Sequence, residues 1–94
     1  ILLVDEPAAH LDPAHQLRLM ELLRAEAARG VAVAITLHDL SLASRFCDEV
    51  VVLQNGHVAG QGVPGDVLSD AALAQVFGIA AKRLDGNVVP WSRV

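Results

Sequence analysis

Two short apolar runs, ILLV at residues 1–4 and VAVAITL at residues 31–37, bracket a segment that carries helix punctuation at both ends. No other feature constrains the fold as strongly. Aliphatic, β-branched runs without polar alternation suit parallel strands covered on both faces. Between them, Asp12-Pro13 supplies a helix start, aspartate as N-cap and proline at the first helical position. Leu17, Met20, Leu23 and Ala27 recur at helical spacing, and Gly30 ends the helix. Strand, crossover helix and strand make a βαβ unit, which is right-handed in nearly all sheets. The expected fold class is therefore α/β.

The second half reads as shorter elements. Asp39 can cap a helix over about residues 40–46, and EVVVLQ at 49–54 is a third strand. Asn55-Gly56 is a strong hairpin turn, so residues 57–61 are expected to return antiparallel. Pro64 opens a short helix to about Leu68. Ser69 or Asp70 caps another that reaches Phe77 and ends at Gly78. Residues 79–94 are weakly patterned and fit one or two edge strands. There is no repeat, low-complexity segment or internal linker.

Composition narrows the function. The 94 residues are 53% hydrophobic but only 3% aromatic, which favours the Leu, Val and Ala packing of layered proteins. A formal net charge of −4 argues against nucleic-acid binding, which needs a basic footprint. A single cysteine, Cys47, allows no internal disulfide and fits a reducing compartment. No apolar run approaches the ~20 residues of a membrane span. The chain opens without methionine, and its one methionine is Met20; it is expected to be a piece of something longer.

The chemistry sits where the first strand stops. Asp5 and Glu6 follow the apolar run directly, and ligands of open α/β sheets bind at the carboxyl ends of strands. One carboxylate there could hold a hydrated Mg²⁺, since hard cations take oxygen ligands. The other could orient a water for attack. The bland alternative is that acids mark where a buried strand emerges into water. Pro7 follows the pair, Leu11-Asp12 comes after three small or polar residues, and His38 stands at the end of the second run in ITLHDL.

With those residues the chain resembles the C-terminal half of the nucleotide-binding subunit of ABC transporters, an ABC-type ATPase, from Ile1 to about Ile79. The resemblance implies a partial P-loop NTPase fold: parallel strands with crossover helices, plus a C-terminal β-hairpin and short helices. It implies that Ile1 to Asp5 is the Walker B strand, with Asp5 holding Mg²⁺ through water. Glu6 then polarises the attacking water, and His38 is the switch histidine that contacts the γ-phosphate of ATP. Asp12 becomes the D-loop residue that reaches across an ATP-sandwiched dimer, alongside its plain reading as a helix N-cap. Ala8, Ala9 and His10 stand where many members have Thr-Ser-Ala, which removes two hydroxyls from this loop and adds an imidazole.

No G-x-x-x-x-G-K-[ST] occurs, and the only lysine is Lys82. A P-loop cradles phosphates with backbone N–H groups and a lysine. The glutamine loop and the signature segment are also missing from residues 1–94. The isolated chain is expected to hydrolyse no ATP, and to be poorly soluble through an unpaired strand edge.

The stretch ASRFCDEVVVLQNGHVAGQGVPGDVL, with His15-Gln16 and the ending VLSDAALAQVFGI, resembles ATPases of bacterial importers for iron(III)-siderophores, haem and vitamin B12. Iron-siderophore import is the favoured expectation and haem the second. The resemblance implies transmembrane permease subunits, a second ATPase subunit in a homodimer and, indirectly, a periplasmic solute-binding protein. It places the protein peripherally on the cytoplasmic face of the bacterial inner membrane. Two other classes stay open: a non-transport ABC-type ATPase, and a non-enzymatic binding module derived from this half. His10, His15 and His57 fit no usual metal-ligand spacing, and Cys47 reads as packing.

Overall fold

A computed structural model describes all residues 1–94. The chain divides into two units, Ile1–Asp39 and Leu40–Val94, with no linker between them.

The first unit is the βαβ element. Strand β1 (Leu2–Val4) and strand β2 (Val33–Ile35) pair in parallel, and helix α1 (Pro13–Ala28) connects them. Leu2 lies opposite Val33, and Val4 opposite Ile35. The strands are shorter than the apolar runs predict. Pairing stops because the chain leaves β1 at Asp5 and turns at Glu6, whose φ is 45°. Asp12 caps α1 with its side chain on the His15 N–H, and Pro13 fills the first position. At the other end Gly30 adopts φ 93°. There the Val31 N–H bonds Glu26 O at 3.2 Å and the Gly30 N–H bonds Ala27 O at 3.0 Å. That bond pair is a Schellman motif, which a glycine permits at no steric cost.

The inner face of α1 differs from the predicted stripe in one place. Met20 and Leu23 are buried, but Leu17 is 37% exposed. Gln16 takes the inner position instead, because its side-chain amide donates to Ala8 O at 3.0 Å. Each buried Met or Leu contributes roughly 1.5–3 kcal/mol. The opposite face of the strand pair is open, with Leu3 75% exposed.

The second unit is built from hairpins. Helix α2 (Leu40–Phe46) precedes strands β3 (Val50–Gln54) and β4 (His57–Gly62), which pair antiparallel. Asn55 and Gly56 have φ 53° and 78°, the two left-handed residues of a type I′ turn. Helices α3 (Pro64–Val67) and α4 (Asp70–Ala72) follow, and α4 runs on into a π-helical turn, Leu73–Phe77. Ser69 Oγ caps α4 by accepting from the Ala72 N–H. Gly78, at φ 67°, ends the turn with its N–H shared between Ala74 O and Leu73 O.

The tail is more ordered than its weak pattern predicts. Strands β5 (Ile79–Leu84) and β6 (Asn87–Arg93) form a second antiparallel hairpin. Its turn is Asp85-Gly86, again left-handed at both residues, φ 51° and 82°. Pro90 is accommodated beside a register shift between Ala80 and Ala81, since a bulge tolerates a residue that cannot donate to the ladder. Val52, Leu68, Leu73 and Val88 form the core of this unit. Arg83 Nη2 donates to Leu68 O at 2.8 Å and to Asp70 Oδ1 at 2.9 Å. Ser44 Oγ accepts from the Val88 N–H at 3.0 Å.

Candidate functional site

The site lies at the carboxyl ends of β1 and β2. The ladder continues one step past both strands, with the Thr36 N–H bonding Val4 O at 3.1 Å. This step places Thr36 beside Asp5 and Glu6. Alternation along an extended chain then puts His38, two residues on, toward the same side as Thr36.

The side chains meet accordingly. Thr36 Oγ1 donates to Asp5 Oδ1 at 2.6 Å. The same oxygen accepts from the Glu6 N–H at 2.7 Å. His38 Nε2 lies 2.5 Å from Glu6 Oε1. With Nε2 protonated, the imidazole donates a short, charge-assisted hydrogen bond to the carboxylate. Glu6 reaches His38 from a left-handed backbone, φ 45°, a conformation uncommon for residues other than Gly, Asn and Asp. The turn breaks the opposite-facing alternation that neighbouring strand residues otherwise have.

A cleft of about 240 Å³ opens beside this group. Glu6, Thr36, His38, Asp39 and Gln16 line it together with Ala8, Ala9 and Leu37. Ala8 is 4% exposed, and the Gln16 bond to its carbonyl pins the loop after Pro7 to α1. The charged groups on the walls are two carboxylates and one imidazole, so the cleft has no fixed cation of its own. An anionic phosphate can approach only with a cation supplied to the site. The three-ligand cage of a dedicated metal centre is absent. Hydrated Mg²⁺ needs no such cage, because one or two carboxylates plus substrate phosphates suffice. Asp5, a hard oxygen donor with one of its two oxygens engaged by Thr36, fits that requirement.

Of the four residues singled out in the sequence, three come together: Asp5, Glu6 and His38. Asp12 does not line the cleft. Its Oδ1 accepts from the His15 N–H at 2.9 Å and contacts the His15 ring Nδ1 at 2.8 Å. The backbone N–H of His15, then its ring, and further the N–H of Ala14 hold the Asp12 carboxyl below its ordinary value. His10 and His57 are exposed. Thr36 and Gln16 escaped the sequence reading. The signal for Thr36 was available, since a strand residue two before His38 shares its face.

Among solved structures, cbiO1 from Clostridium perfringens, part of the ABC transporter complex cbiONQ, matches with a TM-score of 0.65 at 33% identity. That match covers 79% of this chain and 30% of that one. A chain of a metal-chelate type ABC transporter in an inward-facing conformation gives a TM-score of 0.78 over 95% of this chain and 39% of its own. At 20% identity the latter speaks to the fold alone. The fold is that of ABC ATPases, within the P-loop NTPase class, and the chain belongs to the ATP-binding subunits of ABC transporters.

Its curated relatives include the hemin import ATP-binding protein HmuV of Rhodococcus jostii (strain RHA1), 49% identical over 77 residues. That match covers 82% of this chain and 26% of the relative. The HmuV of Pseudoalteromonas translucida (strain TAC 125) is 44% identical over 86 residues, covering 92% and 33%. The chain thus spans a quarter to a third of the length of these relatives. No family model matches it.

Proposed function

We propose that residues 1–94 are the C-terminal part of the nucleotide-binding domain of an ABC importer ATPase, comprising the Walker B strand, D-loop, H-loop and C-terminal tail. The P-loop, glutamine loop and signature segment come from sequence outside this range. The observation that carries the reading is the His38–Glu6 contact of 2.5 Å at the carboxyl ends of paired parallel strands. A carboxylate held by an imidazole there is placed to orient a water for in-line attack on a terminal phosphate.

Phosphoryl transfer asks the protein mainly for positioning and charge stabilisation. Glu6 accepts the water's hydrogen bond and acts as its base. His38 keeps Glu6 in place through its Nε2–H, which can turn from the carboxylate to a phosphate oxygen when nucleotide is bound. Asp5 would hold Mg²⁺, which when bound would supply positive charge against the phosphates. Asp12, fixed as the N-cap of α1, sits on the loop that reaches a second ATPase subunit of a homodimer. The carboxylate-lined cleft supports the expectation that this chain alone neither binds nor hydrolyses MgATP, because the phosphate cradle is supplied elsewhere. Saturable heat in a calorimetric titration of the purified 94 residues with MgATP would contradict it.

Coupling to transport follows the relatives. Their name, hemin import ATP-binding protein, moves haem ahead of an iron-siderophore as the cargo of this system. Permease subunits carry the cargo, a periplasmic solute-binding protein delivers it, and the ATPase lies on the cytoplasmic face of the inner membrane. No helix of the chain is long and apolar enough to cross a membrane. The test is Glu6→Gln in the full-length protein assembled with its permease. Turnover is expected to fall by about 10²–10⁴-fold, the usual contribution of a general base, with MgATP binding retained. Turnover at the wild-type rate would overturn the assignment.

A further inference from the structure

We infer that Thr36 is a positioning residue: its hydroxyl sets the two adjacent carboxylates in different directions, Asp5 toward a hydrated divalent cation and Glu6 toward the attacking water. The inference deepens the ATPase reading above and rests on it. A threonine hydroxyl has one proton to give. Here it goes to Asp5 Oδ1 at 2.6 Å, so the 2.7 Å contact with the Glu6 N–H uses an oxygen lone pair. The direction of the relay is therefore fixed, from N–H to hydroxyl to carboxylate, and each bond polarises the next.

The relay solves a geometric problem. Asp5 and Glu6 are consecutive, and on a regular strand their side chains would face opposite sides of the sheet. Glu6 instead takes φ 45°, and its N–H in that conformation is received by Thr36. The end of β2 thereby holds both acids at once. Thr36 fixes the Asp5 side chain and the Glu6 backbone, and His38, two residues on, fixes the Glu6 carboxylate. Valine has nearly the same shape as threonine but offers neither the acceptor nor the donor.

The experiment compares Thr36→Val with Thr36→Ser in the full-length protein, with Glu6→Gln alongside. Thr36→Val is expected to lower kcat about tenfold and to raise the Mg²⁺ concentration for half-maximal turnover several-fold, while Thr36→Ser recovers most of the loss, as for outer partners of metal-site carboxylates. Amide hydrogen exchange at Glu6, resolved by residue and measured without nucleotide, is expected to run roughly fivefold faster in Thr36→Val only. Unchanged Glu6 exchange with unchanged Mg²⁺ dependence in Thr36→Val would overturn the inference. So would equal impairment of the serine and valine variants, which assigns the loss to packing. Should Glu6→Gln leave turnover intact, the ATPase role of Glu6 falls. The exchange measurement needs no turnover and still decides for or against Thr36.

Discussion

The two units cover their apolar residues by opposite means. Ile1–Asp39 relies on two parallel strands of three residues each, joined across a whole helix, and buries only Ala8, Met20 and Leu23. Leu40–Val94 relies on two hairpins closed by two-residue turns, with Leu68 and Leu73 fully inaccessible and Val88 1% exposed. Parallel strands must wait for a crossover connection, whereas a hairpin closes locally. A parallel pair also presents two faces that need cover, and here Leu3 remains 75% exposed. The residues proposed for chemistry belong to the open unit. Strand ends free of packing can carry Asp5, Glu6, Thr36 and His38, and the hairpin unit spends its side chains on its own core.

A pair of substitutions tests this contrast with the largest expected stability effect. In the 94-residue chain, Leu73→Ala removes a fully buried side chain and is expected to cost about 2–5 kcal/mol. Leu3→Ser is expected to cost less than about 0.5 kcal/mol, as exposed substitutions do. Equilibrium urea unfolding followed by circular dichroism measures both. The sole tryptophan, Trp91, reports separately on the hairpin that Leu73 supports. Equal costs at the two positions would erase the distinction between an open and a closed unit.

The turns of the second unit set a smaller effect. Asn55 holds φ 53°, where asparagine and glycine are tolerated and a Cβ without a local hydrogen-bonding side chain costs roughly 1–2 kcal/mol. Asn55→Ala is expected to lose about 1 kcal/mol in the same unfolding assay, and Asn55→Gly only a few tenths. If alanine is as good as glycine there, the left-handed geometry is not what fixes the register of β3 against β4.

Asn55-Gly56 was legible in the sequence, and so was the βαβ order with both caps of α1, because these signals are local. Asp85-Gly86 carries the same turn chemistry, yet the surrounding strands lack clear alternation, with Ala80, Ala81 and Pro90 diluting the pattern. The hairpin there is specified by the turn and by packing of Val88 into the core rather than by periodicity. The helical stripe misplaced Leu17 because hydrophobicity alone does not reveal that Gln16 has a carbonyl to satisfy. The π-helical turn at Leu73–Phe77 has no sequence signature at all. Within the site, the acids and His38 were visible as residue types. Alternation puts Thr36 on the His38 face, but its bonds to Asp5 and Glu6 were not legible, because they span about 30 positions that only the register of β1 against β2 brings together.

The smallest expected effect concerns Asp12, the candidate residue that joins neither the cleft nor the Asp5–Thr36–Glu6–His38 cluster. Its carboxyl titrates below the ordinary aspartate value of 3.8, chiefly because the His15 N–H bonds the charged form in the folded chain. Folding therefore disfavours protonation of Asp12, and the unfolded chain takes up the proton first. Its contribution to stability is fully present above the ordinary aspartate value. It is lost as pH falls through that value toward the lowered folded one. Asp12→Asn keeps an oxygen acceptor for the same N–H, and asparagine caps helices as well as aspartate does, so α1 stays intact while the titration disappears. Between about pH 5 and pH 2 the urea midpoint of wild type should then fall more steeply than that of Asp12→Asn. The side chains of Asp12 and His15 are 60% and 69% exposed, so added salt should shrink the difference. Parallel curves would mean that Asp12 serves α1 only through the shape of its cap and not through its charge.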